Sequence, residues 1–336
     1  MHVGLSGSGV AATTCAHLLA GAGFQVAMED ALRPPVPTIL LSDAALALMR
    51  GLFDRPALLA DRPRIDRRLV AWGGEAVTIP HGAALASEEG INDALKPPVA
   101  GDAPPSPVDF HIVDFHIHAA PPLPAGELHI FGERNALATH VRLRRATCGQ
   151  EARVEAVADG WLFLVPAEAG FGWLLGVGGA LDRLLAQSRL IAPVVDMLGA
   201  TSTPFLAAPR IHLPLCGDDW LACGTAALGF DPICGDGTAQ SVREAILASA
   251  VLVAIAEGGD RDALLTHYRS MLIAAMRRHL QICAQFYASG GQGDWWRAQH
   301  DALMQGYRQC TGLLARLPEP RFMLDGLRLV SRRQAA

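Results

Sequence analysis

Two glycine-rich segments hold the residues of this chain whose spacing speaks most directly of chemistry. Gly7-Ser8-Gly9-Val10-Ala11-Ala12 has Gly-x-Gly-x-x-Ala spacing. Gly7 permits a tight turn, Gly9 lets the backbone approach a pyrophosphate, and Ala12 is small enough for a helix to pack close to a sheet. A helix predicted over 10–20 would direct its first amides at the phosphates. Glu29 and Asp30 follow at the distance where an adenosine ribose is held. The second segment lies far along the chain and runs Cys223-Gly224-Thr225-Ala226-Ala227-Leu228-Gly229-Phe230-Asp231-Pro232-Ile233-Cys234-Gly235-Asp236-Gly237. Asp231-Pro232 halts regular structure, and Gly235 and Gly237 free the backbone before a helix predicted over 238–256. Amides at that helix start suit the negative charge of a reduced flavin. Together the segments read as two sides of one FAD site: Gly7, Ser8, Gly9, Val10, Ala11, Ala12, Glu29 and Asp30 at the adenosine pyrophosphate end, and Thr225, Asp231, Pro232, Gly235, Asp236 and Gly237 at the isoalloxazine end.

A third segment offers other chemistry. Asp109-Phe110-His111-Ile112-Val113-Asp114-Phe115-His116-Ile117-His118 places Asp114, His116 and His118 on one face of a strand, as in metal-dependent hydrolases. The same pattern describes a strand that buries Phe and Ile and turns its histidines to solvent or to a cleft, where imidazoles can carry protons. His212, in Pro209-Arg210-Ile211-His212-Leu213-Pro214, carries the same ambiguity. Trp295-Trp296 either clamps an aromatic substrate or anchors the C-terminal region to the core. The seven cysteines, at 15, 148, 216, 223, 234, 283 and 310, have no C-x-x-C spacing, so neither a zinc site nor a disulfide framework follows from them.

With these segments in this order, the chain resembles the flavin-dependent monooxygenases built on the hydroxybenzoate-hydroxylase type of fold. Within them it is most similar to the branch of flavin-dependent halogenases and of flavoproteins that mature tryptophylquinone-dependent oxidases. Gly132-Glu133-Arg134 stands where the family often has a strand followed by Gly-Arg, and Gly160-Trp161-Leu162-Phe163-Leu164-Val165-Pro166 follows. The departures are specific. Thr225 replaces the family's ribityl-contacting aspartate, and Trp161-x-Phe163-x-Val165-Pro166 only echoes the halogenase Trp-x-Trp-x-Ile-Pro. Cys234 stands where tryptophan halogenases place a catalytic acid, which would set it beside the flavin. Lys96, the only lysine, lies in Leu-Lys-Pro-Pro and not in the halogenase lysine motif.

The elements that must position these residues are predicted as follows. Val3–Leu5 and 24–28 are short strands flanking the first helix. Ser42 caps a helix through Leu52 with Ala45, Leu46, Leu48 and Met49 as its apolar face. Alternation around Arg142–Arg144, Trp161–Val165 and Trp173–Val177 predicts an antiparallel sheet, and 97–107 a proline-rich loop. The predicted fold class is α/β: a Rossmann-like FAD-binding domain (1–60, 86–135 and 206–260), an antiparallel-sheet substrate domain (61–85 and 136–205) and a C-terminal helical layer (261–336). At 336 residues and 51% hydrophobic, the chain can bury a large core, and a net charge of −5 argues against nucleic acid. The apolar run 245–256 is too short for a bilayer and reads as a buried helix. The start of the chain enters a strand without a signal-peptide pattern, and an odd cysteine count suits a reducing cytoplasm.

The resemblance implies an FAD-dependent oxidoreductase, a monooxygenase acting on an aromatic group. The partner is an aromatic small molecule or a tryptophan-bearing partner oxidase undergoing quinone-cofactor maturation. Electrons would come from NAD(P)H or from a separate flavin reductase. The competing readings are a non-catalytic flavin-binding partner or chaperone protein, and a metal-dependent hydrolase using the His-rich strand.

Overall fold

The computed structural model describes residues 1–31, 35–96, 113–144, 150–167 and 170–332. The proline-rich loop, Asp109 to Ile112 of the His-rich segment, and Cys148 lie outside these described residues. Seven helices are described: α1 (Val10–Gly21), α2 (Asp43–Leu52), α3 (Glu88–Leu95), α4 (Leu181–Gln187), α5 (Gly237–Ala256), α6 (Arg261–Gly290) and α7 (Asp294–Leu314).

Val3 and Leu5 are fully buried and centre the first strand, His2–Ser6. Gly7 turns the chain with φ +111°, a value that L side chains rarely adopt. The chain then runs through α1, turns back at Gly23 and enters Gln25–Glu29, parallel to the first strand with Val3 opposite Val26. The complete parallel sheet is Trp220–Ala222, Phe115–His118, His2–Ser6 and Gln25–Glu29 in that order. Its interior side chains Phe115, Ile117 and Leu221 have no solvent exposure. By length and composition α5 is apolar enough to cross a membrane. Here it packs along α1 and α6, burying Ala245, Ala248, Val251 and Leu252 in the main core.

A second sheet has eight strands, ordered Val195–Leu206, Asn135–Leu143, Phe171–Gly178, Gly160–Pro166, Glu151–Val157, Arg64–Ala71, Val77–Ala86 and Ile39–Ser42. The predicted antiparallel sheet is therefore mixed: Arg64–Ala71 runs parallel to Glu151–Val157, and every other pairing is antiparallel. Ser42 caps α2 by accepting from the Ala45 amide, and Ala45, Leu46 and Met49 are buried.

The helical layer expected to the C-terminus stops earlier. α6 and α7 form an antiparallel pair, but the chain then makes a hairpin, Phe322–Asp325 with Arg328–Ser331, turning at Gly326 with φ +59°. Asp325-Gly326 is a local hairpin signal inside the stretch 261–336.

Candidate cofactor and active site

Gly7 sits so close to the strand end after Phe115–His118 that a Cβ there would lie 3.2 Å from Ala120 Cβ. Gly224, at φ +57°, is the matching close approach on the other segment, since a Cβ there would meet Ala11 Cβ at 2.7 Å. Cys223 N–H donates to His118 O, and Thr225 Oγ1 donates to Ala119 O at 3.4 Å. The tertiary structure thus brings the two glycine segments together around Ala119 and Ala120.

The two helices that begin at these segments run side by side. Val10 clusters with Ala239 and Val242, and Cys15 Sγ reaches Ala245 O, a nearly constant offset that makes α1 and α5 parallel. Their N-termini open to the same side. Helix starts elsewhere are neutralised locally: Ser42, Ser87 and Asp260 side chains cap α2, α3 and α6, and Asp182 and Asp294 sit in the first turns of α4 and α7. Only α1 and α5, among the described residues, start with neither a capping side chain nor an acid in the first turn. Their first amides and positive dipole ends are therefore left for an anionic group.

The remaining expected residues fall in different places. Ser8, exposed, gives its carbonyl to Asn92 Nδ2 at 2.8 Å. Ala12 is fully buried; the Glu29 side chain at the end of the second strand and the Asp30 side chain just after it are exposed. Gly235 takes φ +62°, and Asp236 is the N-cap residue of α5, its carboxylate paired with Arg243 at 2.8 Å.

Asp231 faces the interior. Its carboxylate is buried and accepts from Arg134 Nε at 3.0 Å, Tyr287 OH at 2.9 Å and the Ile233 amide at 3.0 Å. Both oxygens are taken by the protein, so Asp231 shapes the loop from behind and Pro232 follows as part of the turn Pro232–Cys234. Arg134 is itself fully buried, with further bonds to Gln299 Oε1 and Phe131 O and its guanidinium 4.7 Å from the Tyr287 ring centre. Gly132-Glu133-Arg134 and Asp231-Pro232 are each marked in the sequence; that their two charges meet is not.

Beyond the loop lies a cleft of about 760 Å³ between the large sheet and the start of α5. Trp72, Phe230 and Phe286 give it aromatic walls, Arg68 and Arg278 supply positive charge, and Cys234 and His279 line its inner side. Burial lowers the Arg68 pKa, and its Nε has no hydrogen-bond partner among the described residues; a Cβ on Gly235 would lie 3.3 Å from its guanidinium. None of Arg68, Trp72 and His279 stood out by spacing in the sequence, because each is brought in by a different element.

His116 and His118 lie side by side, ring centres 5.9 Å apart, with Phe115 and Ile117 buried on the opposite face. His118 Nδ1 is 3.2 Å from Ser6 Oγ, and Asp114 accepts from the His2 amide. The described residues place a three-residue cluster with metal-ligand chemistry elsewhere, at Cys234, His279 and Cys283. Trp296 is fully buried and donates to Val157 O at 2.9 Å, so it anchors the helical pair to the sheet.

No family model matches this chain, and no curated protein matches it. Solved structures do. A peptidyl tryptophan dihydroxylase, QhpG, essential for tryptophylquinone cofactor biogenesis, superposes with TM-score 0.71 at 17% identity, over 98% of this chain and 85% of that one. The flavin-dependent halogenase CmlS gives TM-score 0.73 at 16% identity, over 94% and 71%. HpxO of Klebsiella pneumoniae, solved with FAD and uric acid, gives 0.63 at 14% identity, over 94% and 96%. The fold is that of the flavin-dependent monooxygenases and halogenases.

Proposed function

We propose that the chain is an FAD-dependent oxidoreductase of the monooxygenase type. The observation that carries this reading is the pair of parallel helices, α1 and α5, whose uncapped N-termini open side by side where glycines at 7 and 224 let the chain pack closely on Ala120 and Ala11. An elongated dianionic dinucleotide suits that arrangement: Gly7, Ser8, Gly9 and the first residues of α1 would hold the pyrophosphate, and Glu29 and Asp30 the ribose. Gly235, Asp236 and Gly237 would face the isoalloxazine. Bound FAD, once reduced, supplies dioxygen activation.

What the chain contributes is binding, charge and shelter. The α5 N-terminus and the Arg68 guanidinium supply positive charge at the cleft end of the site. Trp72, Phe230 and Phe286 exclude water and present flat faces to an aromatic substrate. A peptidyl tryptophan dihydroxylase is among the proteins of similar fold, and the substrate we favour is a tryptophan of a partner oxidase during quinone-cofactor maturation. A separate flavin reductase or NAD(P)H would deliver electrons.

The test is a purified, reconstituted protein. Flavin absorbance that bleaches on anaerobic reduction and returns with oxygen is expected, together with gain of oxygen by a tryptophan-bearing partner peptide. Protein that binds FAD and is never reduced would be the non-catalytic flavin binder. Colourless protein that takes up no FAD would overturn the reading.

A further inference from the structure

On the inner wall of the cleft, three reactive side chains converge from two elements. Cys234 ends the turn Pro232–Cys234, while His279 and Cys283 stand four residues apart on one face of α6. Cys234 Sγ lies 3.5 Å from Cys283 Sγ, and Cys283 Sγ lies 3.3 Å from His279 Nε2. Cys234 reaches the cleft; Cys283 is buried behind it.

Two chemistries suit such a group, a soft metal ion or a dithiol, and the hydrogen bonds favour the second. His279 Nε2 accepts from the Asp231 amide at 2.8 Å, which places the ring proton on Nδ1. Both ring nitrogens are thereby committed, and Asp231 is fixed in turn by Arg134. A metal would have to break that arrangement. A disulfide needs only that two sulfurs already in contact close to about 2.05 Å, with one of them on a short turn.

We infer that Cys234 and Cys283 are a redox-active dithiol in which Cys234 reacts with hydrogen peroxide and Cys283 resolves the product to a disulfide. Hydrogen bonds from Cys283 and then His279 hold the Cys234 thiol below its ordinary pKa, against burial and the Asp231 charge. Burial and the neighbouring sulfur push Cys283 well up, so it stays a thiol. The Cys234 thiolate attacks one peroxide oxygen: an S–O bond forms, the O–O bond breaks, and hydroxide leaves to take up a proton. The Cys283 sulfur then attacks the Cys234 sulfur: the S–S bond forms, the S–O bond breaks, and water departs with the Cys283 proton. Overall, two thiols are oxidised and one peroxide is reduced to two waters. A reduced flavin held in this cleft would supply peroxide on meeting oxygen without a substrate. That source rests on the proposed function, whereas the thiol geometry does not. The bond would tie the turn before α5 to α6 and so lock the loop from Asp231 to Gly237.

The experiment treats the purified full-length chain with an equivalent of hydrogen peroxide, alkylates it after denaturation and maps the cysteines by mass spectrometry. Wild-type protein is expected to lose two alkylatable thiols and to yield the Cys234 and Cys283 peptides as one linked species. Cys283→Ser should stop at a sulfenic acid on Cys234, trapped by dimedone, and Cys234→Ser should protect Cys283. Continued alkylation of both cysteines in wild-type protein would overturn the inference. So would stoichiometric zinc in the purified protein that Cys234→Ser abolishes, which would make the cluster a metal centre. Added peroxide separates the two readings: a disulfide that forms in protein unable to bind FAD keeps the dithiol and removes the flavoenzyme.

Discussion

Two buried charges account for much of what single residues do here. Arg134 and Asp231 are both fully buried and meet at 3.0 Å. Such a pair contributes little net stability as a pair, but removing one partner strands the other without solvent. Arg134→Met should therefore cost about 3–5 kcal/mol in a urea titration, and it should loosen the loop that Asp231 shapes. Glu244 accepts from the Gly224 amide at 2.8 Å. Burial pushes its carboxyl from 4.5 up to about 8, with the Gly224 amide opposing. The folded chain keeps that proton across the window in which the unfolded chain has lost it, so stability falls as pH rises between those two values. The loss is complete above the upper value and amounts to about 5 kcal/mol. Glu244→Gln should flatten that slope, read as urea midpoints for both proteins at several pH values across the window. His116→Ala with His118→Ala tests the remaining pair, and flavin oxidation is expected to survive it, since the strand is held by Phe115 and Ile117.

Among the elements, α1 and α5 matter through where they begin. Gly9→Val places a branched side chain at the N-cap of α1, in the space a pyrophosphate would use, and should abolish FAD uptake while far-UV circular dichroism stays native. Gly224→Val meets two obstacles, a left-handed backbone and the Ala11 Cβ at 2.7 Å. It should push the α1 start away from the closing turn and lower FAD affinity at least about tenfold, equivalent to 1.4 kcal/mol. Gly312→Ala, on α7 with nothing within 4 Å, is the control expected to bind normally. Equal loss in both variants would show that the helix starts do not set affinity.

For the molecule as a whole, the surface proposed for FAD would join elements from both large sheets, so FAD should act as a tie across the fold. Saturating FAD at about 100 times its Kd should add roughly 2.7 kcal/mol to stability, seen as a rise in Tm that Gly9→Val abolishes. A rise that persists in that variant would place the flavin elsewhere. The cleft of about 760 Å³ suits one flat aromatic side chain beside a flavin ring system, and Trp72→Ala should raise the substrate KM more than it lowers kcat.

Local features of this fold could be read from the sequence because they are decided within a few residues. The strand, Gly7 turn, α1 and second strand follow from alternation and from a glycine at positive φ, and Ser42 announces α2 by its own side chain. The α/β class and the broad sheet follow from the same short-range patterns, though the parallel pairing of Arg64–Ala71 with Glu151–Val157 does not, since pairing direction is not written in either strand. The C-terminal hairpin was legible at Asp325-Gly326 but outweighed by the long helices before it. Tertiary structure alone decided that Gly224 lies on Ala11, that the Asp231 carboxylate meets Arg134, and that Cys234 meets Cys283. Each contact joins residues far apart in the chain, and packing selects such partners only once both sheets and α6 are in place.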